Sequence, residues 1–214
     1  MEIKNKKRFI KWLWVIIFSP LILIIAGLLF VSVFADIPSF EELEDPKSNL
    51  ATQIIGDDGT ILNTFHIENR SYVTYDQLPQ GLKDAIIATE DVRFYRHSGV
   101  DLRSLARVAF KSFLLGNRRS GGGGSTLTQQ LAKSLFPRDT VKSSLPGVKF
   151  FVLGANKMKE WITAAKIERN YTKSEILSMY LNTVFFGSNA YGIQTASSTF
   201  FGKNPRDLTI EESA

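Results

Sequence analysis

Across residues 12–35 there is no charged side chain in 24 consecutive positions, and no other feature restricts the folding of this chain as strongly. As an α-helix, at about 1.5 Å per residue, such a run reaches roughly 36 Å, enough to cross a hydrocarbon layer of about 30 Å. Trp12 and Trp14 fall where an interfacial aromatic belt is expected, and Pro20 and Gly27 are tolerable inside a membrane helix. The basic cluster Lys4, Lys6, Lys7, Arg8 and Lys11 precedes the run, so residues 1–11 are expected to stay cytoplasmic. A cleaved signal peptide, with Ala35 at its small-residue end, is the competing reading. The run exceeds the roughly 7–15 apolar residues of such segments, which favours retention. Everything after residue 36 is then expected outside the cytoplasm.

The basic tail also accounts for most of the net charge of +5. Residues 12–214 are nearly neutral and carry no global footprint for nucleic acid. The absence of cysteine excludes disulfides, thiolate catalysis and Cys-ligated zinc. With 44% hydrophobic residues, 214 residues suit one globular domain plus an appendage.

Residues 36–78 read as an acidic, proline-bearing linker and a small β element. Gln53-Ile54-Ile55 and Thr60-Ile61-Leu62 flank an Asp-Asp-Gly turn, with residues 71–75 as a third strand. From residue 79 to 214 the periodicity is helical. One helix is expected over residues 79–89. Another follows Asp101 as N-cap, with Leu102, Leu105, Ala106, Ala109, Phe110 and Phe113 on a core face and Arg103, Arg107 and Lys111 on another. Thr172 with Glu175, and Thr209 with Glu212, have capping-box spacing. The second box stands two residues before the end, so this domain is expected to continue past residue 214.

Three clusters carry the chemistry. Glu90 ends the first helix and is followed by Asp91, Phe94, Tyr95 and His97. The run Gly121 to Gly124 leads into a helix with Ser125 as the expected N-cap. At about 100° per residue, Gln129, Gln130 and Lys133 share one face and Leu127, Leu131 and Leu135 another. Backbone amides and a cation there would suit an anion such as phosphate, although a flexible linker is the plainer reading of the glycines. The GKS/T element of a nucleotide-binding loop is missing. Glu160, in Asn156-Lys157-Met158-Lys159-Glu160 at the start of a further helix, adds a second carboxylate, and two separated carboxylates amid donors are what glycosyl chemistry uses.

These residues resemble the peptidoglycan glycosyltransferases, glycosyltransferase family 51. The pattern Glu-Asp-x-x-Phe-x-x-His-x-Gly is met by Glu90, Asp91, Phe94, His97 and Gly99, and Gly-x-Ser-Thr-x-Thr-Gln-Gln is met from Gly123 to Gln130. Arg-Lys-x-x-Glu is met by Lys157 and Glu160 with Asn156 in place of arginine. Ile-Leu-Glu-x-Tyr-Leu-Asn is met by Ile176, Leu177, Tyr180, Leu181 and Asn182, with Ser178 in place of glutamate. The resemblance covers roughly residues 50–214, including Phe186-Gly187, Tyr191-Gly192 and Phe201-Gly202-Lys203.

The resemblance implies a mainly helical, lysozyme-like glycosyltransferase lobe that polymerises lipid II into β-1,4 glycan with release of undecaprenyl pyrophosphate. It implies Glu90 as general base, with Gln130, Lys133 and Lys157 around the sugar phosphate. Glu160 would organise that cluster or hold a divalent cation, magnesium or manganese. Ser125 and Gln129 would serve substrate binding by positioning the loop, and His97 would be structural. The implied setting is the bacterial cytoplasmic membrane, catalytic domain outward, with the growing glycan strand and other cell-wall synthesis proteins as partners. Residues 137–154 form an insertion in which Arg138, Lys142 or Lys149 would supply a phosphate-binding charge. Its apolar stretch Phe150-Phe151-Val152-Leu153 would either dip into the membrane or pack as a loop. Neither Ser-x-x-Lys nor Lys-Thr-Gly, the transpeptidase signatures, occurs in these residues, and such a domain is expected beyond residue 214. The rival enzyme is a membrane-anchored lysozyme-like hydrolase or lytic transglycosylase using Glu90 as acid. An anchored scaffold would leave the glutamates and donor face unexplained.

Overall fold

A computed structural model describes residues 6–34, 37–39, 52–55, 61–65, 72–114, 123–138 and 146–214. Within these, α1 (Lys6–Phe34) precedes a two-stranded antiparallel ribbon of β1 (Thr52–Ile55) and β2 (Ile61–Phe65). Thr52 pairs with Phe65, and the register slips between Ile54 and Ile55, where a bulge sits. The remaining elements are helical: α2 (Gln80–Glu90), α3 (Leu102–Leu114), α4 (Leu127–Leu135), α5 (Pro146–Asn170), α6 (Lys173–Thr183), α7 (Ile193–Phe201) and the short α8 (Ile210–Ser213). The protein is therefore mainly helical, as expected.

The described residues fall into two compact units. One draws on Met1–Ile37 and Asp139–Ile162, the other on Pro38–Arg138 and Thr163–Ala214. In the first, α1 is long and apolar enough to cross a membrane and exposes nearly its whole surface. α5 begins there at Pro146, so Glu160 stands well inside a helix and not at its start, and Pro146 to Gly154 of the insertion are helical. Phe151 (67% exposed) and Leu153 stand in the open, while the side chain of Phe150 is not described and Lys142 lies outside the described residues.

The second unit holds the core, in which Phe94, Leu127, Leu131, Ile167, Ile176, Leu177 and Leu181 are fully buried. These come from α4, α6, the end of α5 and the short 3-10 turn Phe94–Arg96, whose apolar positions recur at helical spacing. Two sequence expectations fail here. Residues 72–74 form no strand, because Val73 is held by side chains: its N–H donates to Asn182 Oδ1 (2.8 Å), and its carbonyl accepts from Asn182 Nδ2 (2.8 Å) and Ser178 Oγ (2.9 Å). A 3-10 turn, Tyr75–Gln77, follows at once. Nor does α3 bury its apolar face: Leu102 (74%) and Phe110 (64%) are exposed, as are Ala106 and Ala109. Leu105 and Val108 of α3 approach Gly124, and the core closes around α4 and α6 instead. Phe113 has no describable side chain.

The caps follow the sequence with one change. Asp101 Oδ1 accepts the amides of Arg103 and Ser104, and both Thr-x-x-Glu boxes close at Thr172 and Thr209. At α4 the cap is Thr126, not Ser125, since Thr126 Oγ1 accepts the Gln129 amide at 3.2 Å.

Gly192 begins α7 with φ +78°, and a Cβ there would lie 2.6 Å from the Asn182 carbonyl oxygen. Both the dihedral and the immovable backbone oppose a side chain. Gly192→Ala is expected to cost about 3 kcal/mol or more, whereas Gly202→Ala, at φ +63° with open space, should cost only the roughly 1–2 kcal/mol of the left-handed conformation. Denaturant unfolding of both variants checks the difference; equal losses would show that the close approach contributes nothing.

Candidate active site

Asp91, His97 and Gly99 do not face solvent as a catalytic set; they tie the first motif to the second. The Asp91 carboxylate is buried and can only accept, so His97 carries its proton on Nε2 and donates to Oδ2 at 2.9 Å. The same Oδ2 accepts the Leu127 amide at 3.1 Å, placing a negative charge at the N-terminus of α4, where the helix dipole favours it. Further along the motif, the Gly99 carbonyl accepts Thr126 Oγ1 (2.7 Å) and Gln129 Nε2 (3.0 Å). Gly99 itself sits at φ +86° with Ala164 backbone 2.9 Å from where a Cβ would be. A second buried link joins Thr128 Oγ1 to Glu168 Oε1 (2.6 Å). Lys173 Nζ reaches that oxygen at 2.7 Å and the His97 carbonyl at 2.8 Å, resting 4.3 Å above the Phe94 ring.

This scaffold turns Gln129 inward: it is 1% exposed, so it positions the loop and offers no surface to a ligand. Gln130 and Lys133 point outward. Gln130 Nε2 donates to Glu90 Oε2 at 2.7 Å, and Gln130 Oε1 accepts from the Tyr180 hydroxyl at 3.2 Å. The exposed Glu90 carboxylate is thus aimed by an amide that is itself aimed by a phenol. Burial, with the nearby Glu90 charge adding to it, pushes the Tyr180 phenol up to about 12, so Tyr180 stays protonated and remains a donor at neutral pH.

Glu90 borders a cavity of about 230 Å³ whose wall includes Arg93, Arg107, Gly124, Ser125 and Thr126. Arg93 Nε lies 3.3 Å from Asp101. Burial opposes ionisation of Asp101, but the Ser104 hydroxyl and amide, Arg93 and the Arg103 amide outweigh it and hold the carboxyl below its usual range. Asp101 is therefore a fixed anion that orients Arg93 at the cavity wall. Such a pocket places one exposed carboxylate beside two guanidinium groups, which suits removal of a proton next to a developing anion. Sequence reasoning missed Tyr180, Arg93 and Arg107. Arg107 was legible only as part of a solvated basic face, and the helical phase relative to Asp101 was the available signal.

Lys157 and Glu160 lie in the other compact unit. Glu160 is buried, and Lys157 Nζ approaches its Oε2 at 2.8 Å, one helical turn away on α5. Among the described residues no group of three or more Asp, Glu or His side chains converges, and the carboxylate expected to hold magnesium or manganese already faces an ammonium group. In the insertion, Arg138 and Lys149 are both exposed.

A family model described as transglycosylase matches residues 58–214. Penicillin-binding protein 1F of Bacillus subtilis is 36% identical over 216 residues, covering all of this chain and 28% of that protein. Penicillin-binding protein 1A of Neisseria flavescens is 36% identical over 85% of the chain, and that of Aquifex aeolicus 36% over 83%; the chain covers 21% and 24% of them. It thus spans about a quarter of the length of these curated relatives. The residues joined by Asp91 and Gly99, the Glu90–Gln130 pair and the cavity beside them all fall within the matched span, and this chain belongs to the transglycosylase family.

Proposed function

We propose that the chain is a membrane-anchored peptidoglycan glycosyltransferase acting on lipid II. Its carrying observation is the exposed Glu90 carboxylate, oriented by Gln130 and Tyr180 at the edge of a cavity walled by Arg93 and Arg107. In the reaction, Glu90 takes the proton from the acceptor C4 hydroxyl as that oxygen attacks C1 of the donor MurNAc. The C1–O bond to pyrophosphate breaks, and its electron pair leaves with undecaprenyl pyrophosphate. A pyrophosphate whose charge is held needs no protonation to depart, so cations replace a second carboxylic acid. Arg93, Arg107 and Lys133 are the groups proposed for that charge, with Ser125 and its neighbouring amides on the cavity wall; Lys157 is proposed for phosphate binding on its family motif alone. Glu160 holds Lys157 in place, and no step is routed through a metal.

The setting rests on the same features. α1 anchors the chain in the cytoplasmic membrane, its basic start inside and the catalytic lobe outside. α3 supports a lobe lying at the lipid surface, since it exposes Leu102 and Phe110 and carries Arg103, Arg107 and Lys111, the composition of an interfacial helix. The insertion's exposed Phe151 and Leu153 fit the same solvent.

Labelled lipid II in detergent tests the reaction. The expected result is polymer together with released undecaprenyl pyrophosphate. Cleavage of preformed glycan without release of that lipid would replace this reading with hydrolysis by the same fold.

A further inference from the structure

The unit that holds the core has a second cavity, of about 270 Å³, on the side of α6 away from Glu90. Ser178 and Asn182 of α6 hold the buried Val73, which lines this cavity, whereas Tyr180, about 200° around the helix from Ser178, faces Gln130. The remaining wall presents donors. Gln77 Oε1 accepts the Thr74 amide at 3.1 Å, which leaves Gln77 Nε2 to donate. Asn204 Oδ1 accepts from Gln194 Nε2 at 3.2 Å, which leaves Asn204 Nδ2 in the same condition. Ser178 gives its one hydroxyl proton to the Val73 carbonyl (2.9 Å), so the Tyr72 hydroxyl, 3.5 Å from Ser178 Oγ, keeps its own for another acceptor. Arg206, on the 3-10 turn Pro205–Asp207, completes the wall and forms no ion pair among the described residues. No carboxylate lines the cavity. The pattern Ile-Leu-Glu-x-Tyr-Leu-Asn would put one at position 178, beside Tyr72, and this chain has serine there.

One guanidinium among neutral donors, with no acid, balances a single negative charge, which favours a carboxylate over a doubly charged phosphate. The volume lies just under the roughly 300 Å³ at which sites for drug-sized molecules begin, room for the last residue of a peptide and too little for a disaccharide. We propose that this cavity binds the free carboxylate at the end of a short peptide, and that the peptide is the stem carried by a MurNAc unit of the glycan strand. The carboxylate chemistry stands on the cavity itself, whereas the source of the peptide rests on the functional reading above. Set apart from Glu90 by α6, the contact holds the strand on the lobe between additions, so it acts on how long a strand grows and not on how fast a bond forms.

The test titrates the full chain in detergent with N-acetyl-alanyl-alanine, with the carboxamide of the same dipeptide and with inorganic phosphate, following the side-chain amide signals by NMR. The expected result is that the peptide acid binds about tenfold or more tightly than either of the others, and that Arg206→Gln, an exposed position, removes the preference without moving the melting point. Ser178→Glu supplies a carboxylate from within and is expected to weaken binding of the acid about tenfold. Equal binding of acid and carboxamide overturns the proposal, as does phosphate binding as tightly as the acid, or an Arg206→Gln protein that keeps the preference. With labelled lipid II, Arg206→Gln is expected to consume substrate at the native initial rate and to release shorter strands on a gel. Strands of native length overturn the assignment to the glycan stem. If the native protein makes no polymer and still selects the peptide acid, the carboxylate site stands and the functional reading falls.

Discussion

Replacing Glu90 with glutamine is expected to reduce kcat/KM for lipid II by about a thousandfold or more while leaving the unfolding midpoint unchanged. The activity term follows from the loss of the one group that accepts the hydroxyl proton, a contribution of about 10²–10⁴ in general-base catalysis, or roughly 4 kcal/mol at a thousandfold. The stability term follows from exposure. Glu90 sits at the open end of α2, and its hydrogen bond to Gln130 is one that an amide can also accept. Polymer on a gel together with a thermal melt checks both halves. Native-like polymer from the variant would remove Glu90 from the chemistry, and a lowered melting point would mean that the carboxylate also supports the fold.

For the neighbouring acid the expectation reverses. Asp91→Ala should destabilise the lobe by about 3–5 kcal/mol, because it strips the partner from a buried imidazole and from the Leu127 amide at once. That is a large share of the roughly 5–15 kcal/mol available to a domain, so little folded protein should remain at physiological temperature. Asp91→Asn keeps an acceptor for one of the two donors and should cost only about 1–2 kcal/mol. Its turnover per folded molecule should stay within about an order of magnitude of native, in contrast to Glu90→Gln. Calorimetry combined with active fraction separates these cases. An Asp91→Ala protein that melts normally would contradict the structural assignment.

Why the sequence distinguished these two acids poorly is a matter of direction. Helical periodicity placed Glu90 at a helix end, and the end of α2 is one residue from where it was expected. Which of two adjacent carboxylates turns inward depends on the turn at Phe94–Arg96 and on an amide 36 residues later in the chain. No local pattern encodes that. Gln129 and Gln130 show the same limit, since a face drawn at 100° per residue grouped them, while the Gly99 carbonyl pulled Gln129 into the core. Caps at Asp101, Thr172 and Thr209 were legible because they are decided within four residues. The Val73 segment was not. Its extended, β-branched residues look like a strand, yet its polar groups are satisfied by Ser178 and Asn182 more than 100 residues away. α3 failed for a related reason, because amphipathicity says that an apolar face exists and is silent on whether protein or lipid covers it.

The hydrogen bonds that converge on the Gly99 carbonyl also set how the lobe can breathe. They pin the chain just before α3 to the chain just after the glycine run, so the 27-residue step from Gly99 to Thr126 leaves and returns through one closed neck. Closing such an excursion costs conformational entropy that grows only with the logarithm of its length, and once the neck is shut the interior can vary cheaply. α3, most of whose surface is exposed and whose Leu105 and Val108 approach Gly124, is expected to open as a separate unit with a low local unfolding free energy. Amides of α3 can then exchange with solvent while those of α4 stay protected. A substrate pressing against α3 would meet a compliant wall, whereas the carboxylate of Glu90, on the closed side of the neck, would keep its aim.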